Sequence, residues 1–214
     1  MNIIGNMFSA DGLADLLLRL PAVLWAISFH EFCHGWVAYK LGDRTAAMQG
    51  RLSLNPLAHI DPIGAVMLIL FQFGWARPVP INSRNFRNPR KGIVLVSLAG
   101  AGGNFLTVIV CALLIKIFPR LLAPDAMGKL MINMLAVNIG LGVFNLIPIP
   151  PLDGSKVLGM MLPPRMMRTY FFLENYGMWI ILALVFTGIL QLIMTPIINF
   201  IWNFIWMRVV LSLF

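Results

Sequence analysis

Two histidines spaced four residues apart enclose a glutamate in a strongly apolar stretch near the start of the chain. The sequence His-Glu-Phe-Cys-His occupies residues 30–34, and the apolar stretch covers residues 16–41. Residues four apart on a helix are rotated by only about 40°, so both imidazoles point to one side and can bind one metal ion. Glu31 lies next to that face, where it can act on a water molecule at the metal. This arrangement predicts metal-dependent hydrolysis.

The composition places this motif in a membrane protein. Of the 214 residues, 59% are hydrophobic and 11% are charged, whereas about a quarter of the residues of an average soluble domain are charged. The mean hydropathy is +0.85. Ionisable side chains inside a membrane segment are expensive to bury, which makes them functional candidates. We therefore expect the hydrolytic site to lie within the bilayer.

The net charge of +8 does not indicate a nucleic-acid partner. The basic residues cluster between apolar stretches, which is typical of the cytoplasmic loops of membrane proteins, and no soluble module presents a basic face. The two cysteines, Cys33 and Cys111, both fall in apolar stretches. A disulfide between them is therefore not expected.

Six apolar stretches organise the chain, and they cover residues 16–41, 63–75, 93–118, 130–149, 178–194 and 197–214. Because a spanning helix requires about 20 apolar residues, the first, third and fourth stretches qualify, and the fifth and sixth are borderline. We predict that Pro196 separates the last two stretches. The sequence therefore predicts an all-α polytopic membrane protein, a helical bundle of about four to six membrane segments.

The second stretch, residues 63–75, is too short to span the membrane with ease. Both loops that flank it are basic, and the loop at residues 77–91 contains no acidic residue. Cytoplasmic loops are the basic ones, so both loops are predicted on the cytoplasmic side. The second stretch is then a membrane-inserted, re-entrant or hairpin segment after the first helix. We also expect residues 50–82 to offer an edge to an extended substrate by strand addition.

A third metal ligand is required, because catalytic zinc sites typically have three protein ligands and one open position. Asp153 is the strongest candidate, since prolines within residues 148–151 break the fourth stretch before it and Gly154 permits a sharp turn after it. Its predicted depth matches that of His30 and His34. The alternatives, of which the last lies in a basic loop, are His59, Asp61 and Glu174.

These motifs, taken in order, resemble those of the site-2 protease family of intramembrane zinc metalloproteases, in its small prokaryotic branch without appended domains. The similarity covers about residues 20–160: His-Glu-Phe-Cys-His is followed by Ala-Gly-Ala-Gly-Gly-Asn at 99–104 and Asn-Leu-Ile-Pro-Ile-Pro-Pro-Leu-Asp-Gly at 145–154. The middle block has Ala101 where the family pattern has proline. Local helix geometry is expected to differ there.

The resemblance implies a role for five residues. His30, His34 and Asp153 bind one zinc ion per chain, and Glu31 is the general base for a zinc-activated water. Asn145 hydrogen-bonds near the substrate or the developing oxyanion.

The implied function is that of an intramembrane zinc-dependent endopeptidase. It hydrolyses peptide bonds in or near the transmembrane helices of protein substrates in the lipid bilayer. Residues 1–214 then form one domain, with a catalytic core at about 16–160 and C-terminal membrane segments at 177–214. The implied location is a prokaryotic plasma membrane, with the active site toward the cytoplasm. The alternative is a non-catalytic membrane scaffold that retains the fold, although a scaffold has no need of Glu31.

Overall fold

The computed structural model describes residues 10–71 and 74–210. The predicted domain and apolar stretches also include residues 1–9, 72–73 and 211–214, which lie outside the described residues. The described part of the chain is helical, and its α-helices are α1 (Ala10–Lys40), α2 (Thr45–Met48), α3 (Pro62–Phe71), α4 (Pro89–Ile117), α5 (Ala126–Leu146), α6 (Asp153–Met161), α7 (Met167–Phe186) and α8 (Ile189–Ile205). The predicted all-α class is confirmed.

Four described segments are long and apolar enough to cross a membrane: Pro89–Ile117, Ala126–Leu146, Pro164–Phe186 and Ile189–Arg208. These segments confirm a polytopic membrane protein. Helix α1 has 31 residues and is not one of these four segments. That α1 also spans the membrane stays a prediction.

The core of the bundle consists of α1, α4 and α5, each packed against the other two. Helix α6 packs on α4, and α8 packs on α5. Small residues allow the close approach of α1, because Ala22 and Ala26 are fully buried. Apolar side chains fill the interface of α4, α5 and α8, and the buried ones are Val108, Cys111, Ala112, Ile115, Met131, Leu135, Ile139, Val143 and Ile205.

The break between the last two helices differs from its predicted position. Pro196 lies inside α8, so the prediction that it separates two segments was wrong. The chain instead turns at Gly188, whose φ of 74° is the left-handed conformation that ends many helices. A proline inside a membrane helix is tolerated where its surroundings satisfy the freed backbone group.

The segment between α1 and α4 folds back on itself around α3. Ile60 and Ala76 form an isolated antiparallel bridge, and Gly64 lies directly against the backbone of Trp75, where a Cβ atom would collide. Helix α3 has ten residues, too few to span a bilayer. The hairpin shape is as predicted, and its insertion into the membrane stays a prediction.

Asp43 connects the beginning of this segment to its end. The carboxylate is buried and accepts hydrogen bonds from the N–H and hydroxyl of Thr45, from the N–H of Asn82 and from Nδ2 of Asn85. Burial alone would raise the pKa of Asp43, but these hydrogen bonds to the charged form lower it below its ordinary value.

We expect Asp43→Ala to lower the free energy of unfolding in detergent by about 3 kcal/mol at pH 7, since it leaves several donors without their charged acceptor. A carboxyl with a lowered folded-state pKa contributes its stabilisation above the unfolded pKa of about 3.9 and loses it as the pH falls through the folded-state value. The difference between the two proteins should therefore shrink below about pH 4, as thermal unfolding at several pH values would measure.

Asp125→Ala is the control. This exposed aspartate accepts one capping hydrogen bond, from the N–H of Gly128, and its loss should lower the free energy of unfolding by about 1 kcal/mol. Equal losses in both variants would contradict the prediction.

Candidate metal centre

Three side chains from two helices converge in the interior of the bundle. The Nε2 atoms of His30 and His34 on α1 are 2.9 Å apart. Oδ2 of Asp153, the first residue of α6, lies 3.2 Å from Nε2 of His30 and 2.9 Å from Nε2 of His34. All three residues are buried, and their ligand atoms lie within 4.8 Å of one another. We call these residues the metal cluster.

The chain turns before Asp153, whereas the sharp turn was expected after it. Helix α5 ends at Leu146, and the following proline-rich residues redirect the chain so that Asp153 begins α6. Gly154 lies against the carbonyl groups of Leu146 and Ile147, in a space that a Cβ atom would not fit. Nζ of Lys156 is 2.9 Å from Oδ1 of Asp153. This contact leaves Oδ2 for the two imidazoles.

Helix α4 places a glycine against the two histidines of the metal cluster. A Cβ atom at Gly100 would lie 2.5 Å from ring atoms of both His30 and His34. At Gly102, by contrast, a Cβ atom would meet nothing within 4 Å. The absence of a side chain at position 100 is thus what makes room for the two rings beside α4.

The other ring nitrogen of each histidine is bonded to an oxygen of α4. Nδ1 of His34 is 2.6 Å from the carbonyl oxygen of Val96, and Nδ1 of His30 is 2.8 Å from Oδ1 of Asn104. A backbone carbonyl only accepts, so Nδ1 of His34 carries the proton. Bonds of this kind orient a metal-binding imidazole and leave its Nε2 lone pair for the metal.

The donor set fits a zinc ion. Zinc bonds to nitrogen and oxygen of about 2.0–2.1 Å at tetrahedral angles place ligand atoms about 3.3 Å apart, close to the 2.9 and 3.2 Å between the three ligand atoms here. Imidazole and carboxylate are ordinary zinc ligands. Three ligands also leave a fourth position, which catalytic zinc sites use for water or substrate.

Glu31 is half-buried beside the metal cluster and is bonded to the segment that precedes α4. Its Oε2 accepts a 2.8 Å hydrogen bond from the backbone N–H of Val79. The backbone of the same segment also accepts hydrogen bonds from Arg51. The guanidinium of Arg51 donates to the carbonyls of Arg77 and Pro78, at 2.7 and 3.2 Å. The backbone edge that we expected to be open to a substrate is therefore occupied within the chain at residues 77–79.

Among the described residues, none of the remaining candidates is hydrogen-bonded to the metal cluster. Nδ2 of Asn145 donates to the carbonyl of Leu141 in its own helix, and no hydrogen bond among the described residues links Asn145 to the cluster. His59 is buried with Nε2 2.8 Å from the carbonyl oxygen of Ser53. Asp61 accepts from the N–H of Gly64 at the start of α3. Glu174 is exposed on α7, not in a loop.

Two contributions of α4 were not assigned from the sequence. Gly100 and Asn104 both belong to the Ala-Gly-Ala-Gly-Gly-Asn block at residues 99–104, but the sequence assigned neither of them a role at the metal. Their spacing of four residues is a usable signal, because it puts both on one face of a helix. The same argument identified His30 and His34 on α1.

Among curated proteins the chain is similar to named metalloproteases. It is 37% identical over 180 residues to "Putative zinc metalloprotease YwhC" of Bacillus subtilis, which covers 81% of this chain and 82% of that protein. It is 30% identical over 182 residues to "Putative zinc metalloprotease Rip2" of Mycolicibacterium smegmatis, over 82% of this chain and 69% of the relative. The chain matches no protein-family model and no solved structure. From the extent of the match to YwhC, the chain belongs to the same family of zinc metalloproteases.

Proposed function

We propose that the chain is an intramembrane zinc-dependent endopeptidase of the site-2 protease type. The observation that supports this most directly is the buried convergence of His30, His34 and Asp153 next to Glu31. It lies in a bundle that contains four segments long and apolar enough to span a membrane. Metal ligands that are buried among membrane helices suit a reaction within the bilayer. The substrates are then proteins whose own helices enter the membrane.

The chemistry is divided among the residues of the site. Zinc, when bound by His30, His34 and Asp153, supplies a Lewis acid that polarises the scissile carbonyl and acidifies water. Glu31 accepts the proton of the attacking water at a carboxylate oxygen and delivers it to the leaving amine. Asn145 hydrogen-bonds near the oxyanion that develops on the carbonyl. This last role requires Asn145 to exchange its bond to Leu141 for one to the substrate.

The substrate must expose a peptide bond before it is cut, because each backbone group of a helix is hydrogen-bonded within the helix. A transmembrane substrate therefore has to unwind locally at the site. Strand addition to residues 77–79 is one way to hold the unwound segment. It requires residues 77–79 to give up their hydrogen bonds with Arg51 and Glu31 and to form hydrogen bonds with the substrate instead.

We propose a prokaryotic plasma membrane as the location, with the site toward the cytoplasm. His30 and His34 lie in the second half of α1, and Gly100 lies in the first half of α4. The chain between these helices contains the basic loop at residues 77–91. Basic loops stay in the cytoplasm, so the end of the bundle that contains the metal cluster faces that side.

Zinc content and cleavage together test the proposal. We expect about one zinc ion per chain in detergent-purified protein, and loss of that zinc in both His30→Ala and Asp153→Ala. His59→Ala is the matched control, because this buried histidine lies outside the metal cluster and should leave zinc content unchanged. The cleavage probe is a single-span protein with helix-destabilising residues in its cytoplasmic half, and its cleavage should stop when zinc is removed by a chelator and resume when zinc is restored.

Two results would contradict the proposal. Wild-type protein that binds no zinc after supplementation would favour a non-catalytic scaffold. Zinc retained by Asp153→Ala but lost from His59→Ala would assign the third ligand to His59.

A further inference from the structure

We infer that Asn138, on α5, is a positioning residue for the metal ligand His30. Asn138 does not touch the metal cluster; it acts through Asn104. The inference rests on the zinc site proposed above. The evidence is a hydrogen-bond path that begins at a backbone carbonyl of α5 and ends at Nδ1 of His30.

The path consists of buried groups with ordinary hydrogen-bond distances. Nδ2 of Asn138 donates to the carbonyl of Met134 at 2.8 Å. Nδ2 of Asn104 donates to Oδ1 of Asn138 at 3.0 Å and to the carbonyl of Ala26 at 3.1 Å. Oδ1 of Asn104 is 2.8 Å from Nδ1 of His30. Both asparagines are 0% exposed and His30 is 5% exposed, so no bulk water competes for these groups.

The direction of each bond in the path follows from two backbone carbonyls, which can only accept. The carbonyl of Met134 requires the NH₂ group of Asn138, which turns the oxygen of Asn138 toward Asn104. The carbonyl of Ala26 requires the NH₂ group of Asn104, and the oxygen of Asn138 receives its second N–H. Oδ1 of Asn104 is then left to face His30, and the proton of that imidazole lies on Nδ1. The Nε2 lone pair is free for a metal.

Asn138 makes the reverse orientation of Asn104 unfavourable. If the amide of Asn104 turned over, its oxygen would face two acceptors, the carbonyl of Ala26 and Oδ1 of Asn138. Its NH₂ group would then donate to Nδ1 of His30, so the imidazole proton would lie on Nε2, the nitrogen that binds the metal. Without Asn138, only the carbonyl of Ala26 opposes this change. Asn138 therefore influences zinc binding through Asn104 and His30.

The competing explanation is that Asn138 only joins helices, since buried asparagines also bridge helices in membranes. A bridging role affects stability but not the protonated nitrogen of His30. Asn133 provides a matched control on the same helix, because its Nδ2 lies 3.4 Å from the carbonyl oxygen of Leu18 on α1 and takes no part in the path. Asn133→Leu and Asn138→Leu each remove one amide between α5 and its neighbours.

The experiment measures zinc affinity by chelator competition on the full chain in detergent. We expect Asn138→Leu to weaken zinc binding about tenfold, at the lower end of the effect of residues that orient metal ligands. Asn138→Asp has the same shape, and at this fully buried position its neutral carboxylic acid can donate its O–H to the carbonyl of Met134 and still offer an oxygen to Asn104. It should stay within about threefold of the wild type, as should Asn133→Leu. Nitrogen-15 spectra of the zinc-free protein, whose chain contains three histidines, should show a proton on Nδ1 of His30 in the wild type and its loss in Asn138→Leu.

The outcomes separate this inference from the proposed function. A wild-type chain that binds no zinc contradicts the zinc site itself. Wild-type zinc binding with an unchanged affinity in Asn138→Leu overturns the role of Asn138 alone. If Asn138→Leu does not fold, the wild-type spectrum and Asn138→Asp decide: an unprotonated Nδ1 on His30, or a tenfold loss of affinity in Asn138→Asp, overturns the inference.

Discussion

Glu31→Gln is expected to abolish peptide hydrolysis and to leave zinc in place. Glutamine has the size of glutamate and still offers an oxygen to the N–H of Val79, which now bonds to Oε2 of Glu31. It has no carboxylate to accept a proton from water, and removal of a general base lowers the rate by about 10²–10⁴. Turnover of the single-span probe and zinc content, measured on the same preparation, check both halves of the expectation.

The control for this variant is Glu174→Gln, the same substitution at the other glutamate of the chain. Glu174 is exposed on α7 and lies outside the metal cluster, so both turnover and zinc content should match the wild type. Full turnover in Glu31→Gln would remove Glu31 from the mechanism. Loss of zinc in Glu31→Gln would instead mean that the carboxylate supports the metal site.

Gly100→Ala is expected to lose zinc, although it adds only a methyl group. The new Cβ atom would lie 2.5 Å from ring atoms of His30 and His34, far closer than the contact of about 3.5–4.0 Å at which such atoms attract. Either the rings or α4 must move, and displaced rings no longer converge on Asp153. We expect zinc affinity to fall at least about 100-fold, the upper range for changes that misorient metal ligands.

Gly102→Ala is the matched control for Gly100→Ala, since both lie in the same turns of α4 and a Cβ atom at Gly102 meets nothing within 4 Å. Both substitutions raise helix propensity by about the same amount, up to about 1 kcal/mol. The control should therefore keep its zinc and its fold. Equal zinc affinity in the two variants would show that the rings accommodate the extra methyl group.

The helices of the core could be predicted from apolar runs, but their first turns could not. Helix α4 begins at Pro89 and α5 at Ala126, each four residues before the predicted stretch. Polar caps account for the difference, because the side chains of Asn88 and Asp125 accept backbone N–H groups of the first turn. A search for apolar runs does not detect turns that begin with polar or charged residues.

The metal ligands were accessible to sequence reasoning because they belong to local motifs. His30 and His34 share one helix face, and Asp153 follows a proline-rich break, which limits where its side chain can lie. The path through Asn104 and Asn138 was not accessible in this way. Its bonds join helices 34 and 74 residues apart in the chain, and a buried asparagine has the same appearance in a sequence whether it bridges helices or orients a ligand.

Val79 donates its backbone N–H to Glu31, and both of its neighbours in the chain lack a backbone N–H. Pro78 and Pro80 flank Val79, and neither can donate a hydrogen bond. A slip of the segment by one residue in either direction would thus place a proline nitrogen opposite the Glu31 carboxylate. The alternation of proline and valine sets the register of this segment against α1, and only proline at position 79 would remove the donor outright.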